Sequence, residues 1–318
     1  MALVPGAALP AQRDLVCNAR SDACGGFIIV INSDAGAVRR QGPRALRALA
    51  QRTLGGQLAS VVTTDRHDLV AALQAAARQA PRAVAVIGGD GTARTALQTL
   101  SPLDIPVAPL PGGTLNRLTK RVFGHGSIEA CLQAMRYGTS RPLAGARVEG
   151  HCFYVAAGFG AWMQLQTVRE RMRGKAPIAG LRLLLRLAPH QFAERLHWSP
   201  NEAAPLVNST LIVGVGRIDS ALGTHAQMHE PALLEAAGAD VRDWGGLAGV
   251  AASTLLRRWR RHRDVTMLAA RSLAVTSGHG GTPALLDGEY HMLGRSFDIV
   301  FESNCGRVWA PVRRRRPW

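Results

Sequence analysis

The sequence predicts an α/β domain with a parallel sheet, followed by a second domain that is mainly an antiparallel β-sandwich. Three observations predict it. Short continuous apolar runs alternate with helix-period segments from residue 26 to about 138, the pattern of a parallel sheet with helices on both faces. Two glycine-rich loops each close such a run and open such a helix. Beyond about residue 140 the segments turn strand-like, with turn signals between them.

Taken in order, residues 1–24 have no clear period, contain Pro5 and Pro10, and read as a mobile leader. Phe27 to Ile31 is a β-branched apolar run of the kind a buried parallel strand shows. Ala45 to Arg52 is helix-like and Leu58 to Val62 strand-like. His67 to Gln79 places Leu69, Val70, Leu73 and Ala76 at helical spacing. Ala83 to Ile87 is a second buried strand, followed by a helix to about Leu100, a strand over Ile105 to Leu110 and a further helix. In the second half, Arg147 to Ala157 reads as two strands joined at Gly150-His151. Leu206 to Val215, Arg271 to Thr276 and Ser296 to Phe301 also read as strands. Asp287-Gly288-Glu289 is a turn signal, and helical patches are expected at 162–173, 178–188 and 247–261. The expected units are 1–24 leader, 25–140 α/β domain, 141–305 β-rich domain, and 306–318 C-terminal segment with the basic run Arg313 to Arg316.

Composition narrows the function classes. The chain has 318 residues with 47% hydrophobic and 19% charged, which is globular. Lys and Arg number 38 against 22 Asp and Glu, a net charge of +16, so anionic surfaces or polyphosphates are expected partners. Nucleic acid is not expected, because aromatic residues are only 5% and no recognised binding motif is present. No run of roughly 18 apolar residues offers a spanning helix, and the first residues do not form a secretory signal. The five cysteines are scattered, with no CxxC pair, which argues against a disulfide framework or a cysteine zinc site. A cytoplasmic protein is expected.

Gly88-Gly89-Asp90-Gly91-Thr92 lies between a buried strand and a helix. Its glycines leave backbone N–H groups uncovered at the positive end of a helix, an anion site. Thr92 can cap the helix or bond a phosphate oxygen. Asp90 beside a phosphate makes sense as a ligand of Mg²⁺ or of its bound water. Pro111-Gly112-Gly113-Thr114-Leu115-Asn116 follows the next strand in the same way, with Thr114 and Asn116 as further donors. In an open parallel sheet, loops at the carboxyl ends of neighbouring strands face one ligand. The sequence has no GxxxxGK[ST] loop, no GxGxxG opening the first helix and no protein-kinase motif set.

GGDGT at 88–92 with PGGTLN at 111–116 resembles the diacylglycerol-kinase catalytic-domain family, which includes sphingosine, ceramide and bacterial lipid kinases. Asn32-Ser33-Asp34-Ala35-Gly36 looks like the family's opening motif, Thr63 before His67-Asp68 like its nucleotide-contacting Thr, and Leu286-Asp287-Gly288-Glu289 like its late Asp-Gly-Glu. The resemblance spans roughly 26–305. It implies an NAD-kinase/diacylglycerol-kinase-like fold with the active site between the domains, ATP and Mg²⁺ as cofactors, and phosphoryl transfer to a lipid hydroxyl at a membrane surface. Asn32, Thr63, Gly88, Gly89, Asp90, Gly91, Thr92, Thr114 and Asn116 would bind the nucleotide, with Asp90 on the metal. Asp287 and Glu289 would sit at the acceptor, one of them as general base. By sequence alone, Asp287-Gly288 reads more simply as a hairpin turn.

The sequence departs from the family at three acidic places. Ala93-Arg94-Thr95 stands where the family often continues x-Asn-Glu, Arg117 where it often has Asp, and Ala236-Ala237-Gly238, with Asp240 nearby, where some relatives hold a structural Mg²⁺. Arg39, Arg40, Arg94 and Lys120 are candidate phosphate cations that read more simply as solvated charges. Leu181 to Leu187 and Leu255 to Arg263, with Trp259 interleaved, could lie at an anionic membrane. A homodimer through sheet edges is compatible with this reading. The alternatives are a soluble kinase of the NAD-kinase type and a non-catalytic nucleotide- or lipid-binding relative. His225 and His229, four apart, have no third metal ligand.

Overall fold

The computed structural model describes residues 25–124, 126–160, 195–218, 231–240, 259–278 and 280–312. In the first part, β1 (Gly25–Asn32), β2 (Leu58–Thr64), β3 (Pro81–Gly88) and β4 (Val107–Pro111) pair in the order β2-β1-β3-β4, all parallel. The inner strands are apolar throughout because both faces are covered: the last six residues of β1 and of β3 are buried. Helices α1 (Gly36–Gln41), α2 (Pro43–Leu54), α3 (Leu69–Ala77), α4 (Asp90–Leu100), α5 (Arg117–Phe123) and α6 (Ile128–Met135) connect them. α2 shows why they pack: Leu46, Ala50 and Leu54 repeat every fourth residue and are its buried face.

The remaining strands are β5 (Gly138–Val148), β6 (His151–Phe153), β7 (Ala156–Gly160), β8 (Leu196–Pro200), β9 (Leu206–Asn208), β10 (Thr210–Val215), β11 (Leu234–Ala239), β12 (Val265–Ala270), β13 (Ser272–Ser277), β14 (Thr282–Leu286), β15 (Glu289–Leu293) and β16 (Ser296–Pro311). One sheet runs β12-β11-β10-β7-β14-β15, antiparallel throughout. The parallel sheet continues through β16 into β13, β8 and β9, with β5 and β6 joined at β16. The inner faces meet in one apolar core, with Phe153, Trp198, Leu273 and Ile299 from one sheet against Phe159, Leu211, Val213 and Leu286 from the other. That is the β-sandwich expected, with period-2 burial such as that of β13, where Leu273, Val275 and Ser277 are buried and the residues between them are not.

Three differences have physical causes. Leu206 to Val215 is not one strand: β9 pairs with β8 and β10 with β7 and β11, so the chain changes sheets at fully buried Ser209. The strand expected over Ser296 to Phe301 runs on to Pro311. A bulge between Glu302 and Gly306 breaks its alternation, after which Val308 pairs in parallel with Val107 of β4. Residues 306–311 therefore belong to the shared sheet, and β5 crosses the boundary expected near 140. Trp259, in a segment that could lie at a membrane or pack as a core helix with a basic face, is 3% exposed in a small cluster with Ile212, Ile218 and Ala237. Its neighbour Arg260 pairs with Glu235 at 2.5 Å. The leader, the expected helices at 162–173 and 178–188, most of the one at 247–261, the segment 181–187, His225, His229 and the run 313–316 lie outside the described residues. Among the described residues no helix is long and apolar enough to cross a membrane.

Candidate active site

The two glycine loops lie side by side at the carboxyl ends of β3 and β4. The Gly112 N–H donates to the Gly88 carbonyl at 2.7 Å. A Cβ on Gly112 would stand 2.7 Å from the Gly88 nitrogen, and one on Gly113 2.6 Å from the Gly89 Cα. Only glycine permits this approach. Gly88 also lies under the Thr92 side chain, 2.5 Å from where its own Cβ would be. The N–H groups of Asp90, Gly91 and Thr92 open α4 and have no carbonyl of their own helix to bond. The Ala93 N–H is the first to close a helical turn, onto Gly89.

Neighbouring side chains lock these loops. Asn32, 7% exposed at the end of β1, donates from Nδ2 to Thr92 Oγ1 at 2.9 Å and accepts the Asp34 N–H at 3.0 Å. It ties the first strand to the first turn of α4. Asn116 closes its own loop: Oδ1 accepts the Gly113 N–H at 2.8 Å, and Nδ2 donates to the Gly113 carbonyl at 2.9 Å. That closure is reached with Asn116 in the left-handed region at φ 48°, which Asn tolerates best among non-glycine residues. Asp90 Oδ1 accepts the Leu118 N–H at 2.9 Å and so fixes α5 beside α4. Thr63 at the end of edge strand β2 and Thr114 in the second loop are exposed.

From the second part, the turn Asp287-Gly288 joins β14 to β15 with φ 52° and 93°, the two positive values of a type I′ hairpin. The turn expected at Asp287-Gly288 is thus present. Asp287 Oδ1 accepts the N–H groups of Val155 at 2.8 Å and Ala156 at 3.0 Å, and Oδ2 that of Tyr154 at 2.6 Å. Burial raises its pKa above the ordinary carboxylate value, against those three donors and the Arg94 charge, which pull it down. Glu289 reaches the first loop: its Oε1 lies 2.7 Å from where a Cβ on Gly91 would stand. The structure therefore brings the Asp-Gly-Glu turn against the GGDGT loop across the chain.

Arg94 makes that join, and it is not a solvated charge. It is 3% exposed on α4, buried by the very hairpin it holds. Its Nη1 donates to the Leu286 carbonyl at 2.8 Å and lies 3.2 Å from Glu289 Oε2, while Nη2 meets His291 Nε2 at 2.7 Å. A charged residue on a helix gives no sequence signal of burial; the one available hint was its position two residues past the glycine loop. Arg121, buried on α5, adds a second tie by donating to the Tyr154 carbonyl beside the Asp287 seat. Arg39, Arg40 and Lys120 are exposed, as solvated charges should be. Ala236 to Gly238 lies inside β11, and Asp240 is taken by Arg195 at 2.5 Å.

The donor set fits a polyphosphate: uncovered amides at a helix start, glycines too close-packed to carry side chains, and hydroxyls at the rim. It also fits a hard divalent ion of low protein ligation. Asp90 keeps one oxygen, Oδ2, without a partner among the described residues, and Mg²⁺ commonly takes one or two carboxylates, with phosphate and water supplying the rest. No group of three or more His, Cys, Asp or Glu side chains forms a cage among the described residues.

The chain is similar in sequence and in fold to known proteins. Residues 26–148 match the family model described as the diacylglycerol kinase catalytic domain. Diacylglycerol kinases of two strains of Mycobacterium tuberculosis are 42% identical over 62 residues, a match spanning 20% of this chain and 20% of theirs. The crystal structure of a diacylglycerol kinase from Bacillus anthracis superposes with a TM-score of 0.63 at 15% identity, covering 89% of this chain and 96% of that one.

Proposed function

Residues 26–148 carry the diacylglycerol kinase catalytic-domain pattern, and from that premise we propose that this chain is a lipid kinase that moves the γ-phosphoryl group of ATP to a lipid hydroxyl. The observation that supports it most is the contact between Glu289 and Gly91. It sets the Glu289 carboxylate of the second part over an amide cradle of the first, two residues from Asp287, where phosphoryl donor and acceptor would meet.

Phosphoryl transfer demands positioning and charge neutralisation more than covalent help. The N–H groups of Asp90, Gly91 and Thr92 bind phosphate oxygens, with Thr63 and Thr114 at the rim of the nucleotide site. Asp90 would hold Mg²⁺ through Oδ2, and the ion would supply neutralisation of charge on the transferring group. Asp287 accepts the proton of the acceptor hydroxyl at Oδ2. That oxygen carries one N–H donor where Oδ1 carries two, and burial makes it more basic than a solvated carboxylate. Glu289, held by Arg94, orients the acceptor. The acceptor is reached at a membrane surface, to which a chain of net charge +16 is drawn when the lipid is anionic.

The test is transfer of label from γ-labelled ATP, with Mg²⁺, to anionic liposomes carrying a panel of hydroxyl lipids, for the wild type and Asp287→Ala. Label in one lipid class with the wild type alone supports the reading and names the acceptor. Transfer to NAD instead identifies a soluble kinase. ATP binding without transfer to any acceptor identifies a non-catalytic relative.

A further inference from the structure

We propose that Cys152 and Cys305 form a dithiol site, which a peroxide oxidises to a disulfide within the chain. The two residues are 153 positions apart and belong to no motif, so only the fold brings them together. Cys152 lies on β6 opposite Arg147 of β5, and Cys305 lies in the bulge of β16, which pairs with the other edge of β5. Strands on opposite edges of a third are too far apart for their thiols to meet in regular geometry, about 9–10 Å. Gly145 removes the obstacle. A Cβ there would stand 2.7 Å from Cys305 Cβ and 2.9 Å from its Sγ, so the bulge folds the Cys305 side chain over the bare glycine, on the face of β5 that Cys152 shares through its partner Arg147.

The two thiols are electrostatic neighbours, and each residue is 8% exposed. Both line one open cavity of about 590 Å³, together with Ser101, Arg147, Tyr154 and Arg307, which a small oxidant can enter. The pair is electrostatically unequal. The Cys305 thiol, with help from the nearby Arg147 and Arg94 charges, holds Cys152 below the ordinary thiol pKa, against burial and Glu302. Cys305 is pushed up by its Cys152 neighbour and by burial. Glu302 grips Arg147 at 2.6 and 3.0 Å, which tempers the effect of that cation. Cys131 stands in contrast, its thiol pushed up to about 12 by burial.

The chemistry follows that inequality. The Cys152 thiolate attacks one peroxide oxygen, the O–O bond breaks, and the departing hydroxide takes a proton to leave as water, giving a sulfenic acid. The Cys305 thiol then attacks that sulfur; the S–O bond breaks, the S–S bond forms, and a second water departs with the Cys305 proton. Two thiols lose two electrons and the peroxide gains them. Two residues beyond Cys152, the Tyr154 N–H holds Asp287, and the Tyr154 hydroxyl donates to the Cys305 carbonyl at 3.4 Å. The dithiol and the candidate catalytic carboxylate are therefore seated on one short stretch of chain.

The experiment treats the reduced full chain with hydrogen peroxide, alkylates what remains and maps unreduced peptides by mass, a readout independent of any kinase activity. The expected product is a single linked pair, Cys152 with Cys305, two hydrogens lighter than the reduced peptides. Cys305→Ser should stop at a sulfenic acid on Cys152 that dimedone traps. Gly145→Ala, which keeps both thiols but displaces one, should lower the yield of the link several-fold. Absence of the link in the wild type, links to Cys17 or Cys24 instead, or dimedone labelling on Cys305 rather than Cys152 would each overturn the proposal.

Discussion

Arg94 and Glu289 form an ion pair 3.2 Å long in which the cation is buried and the carboxylate is 44% exposed. The asymmetry matters. The buried partner cannot leave, so the flexible one is held in place at the mouth of the glycine loop. Removing the cation strands three groups at once: the Leu286 carbonyl, Glu289 and His291. Arg94→Ala should therefore destabilise the fold by about 2–3 kcal/mol, as expected for hydrogen bonds to a charged group. Urea unfolding measures it. Arg94→Lys keeps the charge but cannot bond all three partners in one plane, and should recover less than half of that loss.

Gly91→Ala tests the contact between loop and hairpin. The added Cβ meets only the end of the flexible Glu289 side chain, so stability should change by less than about 1 kcal/mol, the scale of Gly–Ala helix propensity. Phosphoryl transfer should fall at least tenfold, about 1.4 kcal/mol of barrier. Equal transfer in the two proteins would show that Glu289 can be displaced without consequence.

Asn116 tests the closed second loop. Asn116→Gly keeps the left-handed backbone and loses only the two side-chain bonds, whereas Asn116→Ala loses both and adds strain of roughly 1 kcal/mol. ATP affinity, read by calorimetric titration, should fall in the order wild type, Gly, Ala. A wild-type affinity in both variants would separate loop closure from nucleotide binding.

His291 sets a direction for pH. Burial and the Arg94 and His151 charges lower its pKa below the ordinary imidazole value. The folded state thus binds this proton less readily than the unfolded chain does. The associated stability is fully present above about pH 6.5 and is lost as pH falls through the lower folded value. Melting temperature should drop on acidification below pH 6.5, and His291→Asn should flatten that part of the profile.

Asp287 shifts the other way, raised by burial. Its folded form holds a proton more tightly than the unfolded chain, so its contribution to stability is present at low pH and declines as pH rises above about 3.8–4. The acid limb of kcat/KM should lie above that ordinary carboxylate range. A limb at or below pH 4 would assign proton acceptance to another group.

The parallel strands and both glycine loops were legible because each signal is local. An apolar run of β-branched residues has few ways to be buried, and a glycine pair between strand and helix has few conformations to serve. The Asp-Gly-Glu turn was legible as a turn and, by resemblance, as a site. The burial of Arg94 was not, because what covers it lies almost two hundred residues away in sequence. Asn32, Asp90 and Asn116 were expected to face the ligand, yet each spends hydrogen bonds on positioning the loops. Side-chain amides and carboxylates near a phosphate cradle look the same in sequence whether they touch the ligand or hold the cradle. The length of β16 was hidden by its bulge, and the break at Ser209 by the continuity of apolar residues on either side.

β16 is a structural spine as well as a strand. It bonds β4 in the parallel part of the sheet, β5 along most of its length and β13 in the sandwich. A break between two bodies normally serves as a hinge, and bending there opens a cleft. Here the backbone hydrogen-bond ladder runs through the place where that break would fall, so wide opening would mean tearing paired strands apart. Entry and exit of reactants must then be governed by what yields more easily, the side chains of Glu289 and Thr114 and the loops that carry them. For the proposed kinase, this predicts a cycle of gates at the rim rather than of jaws.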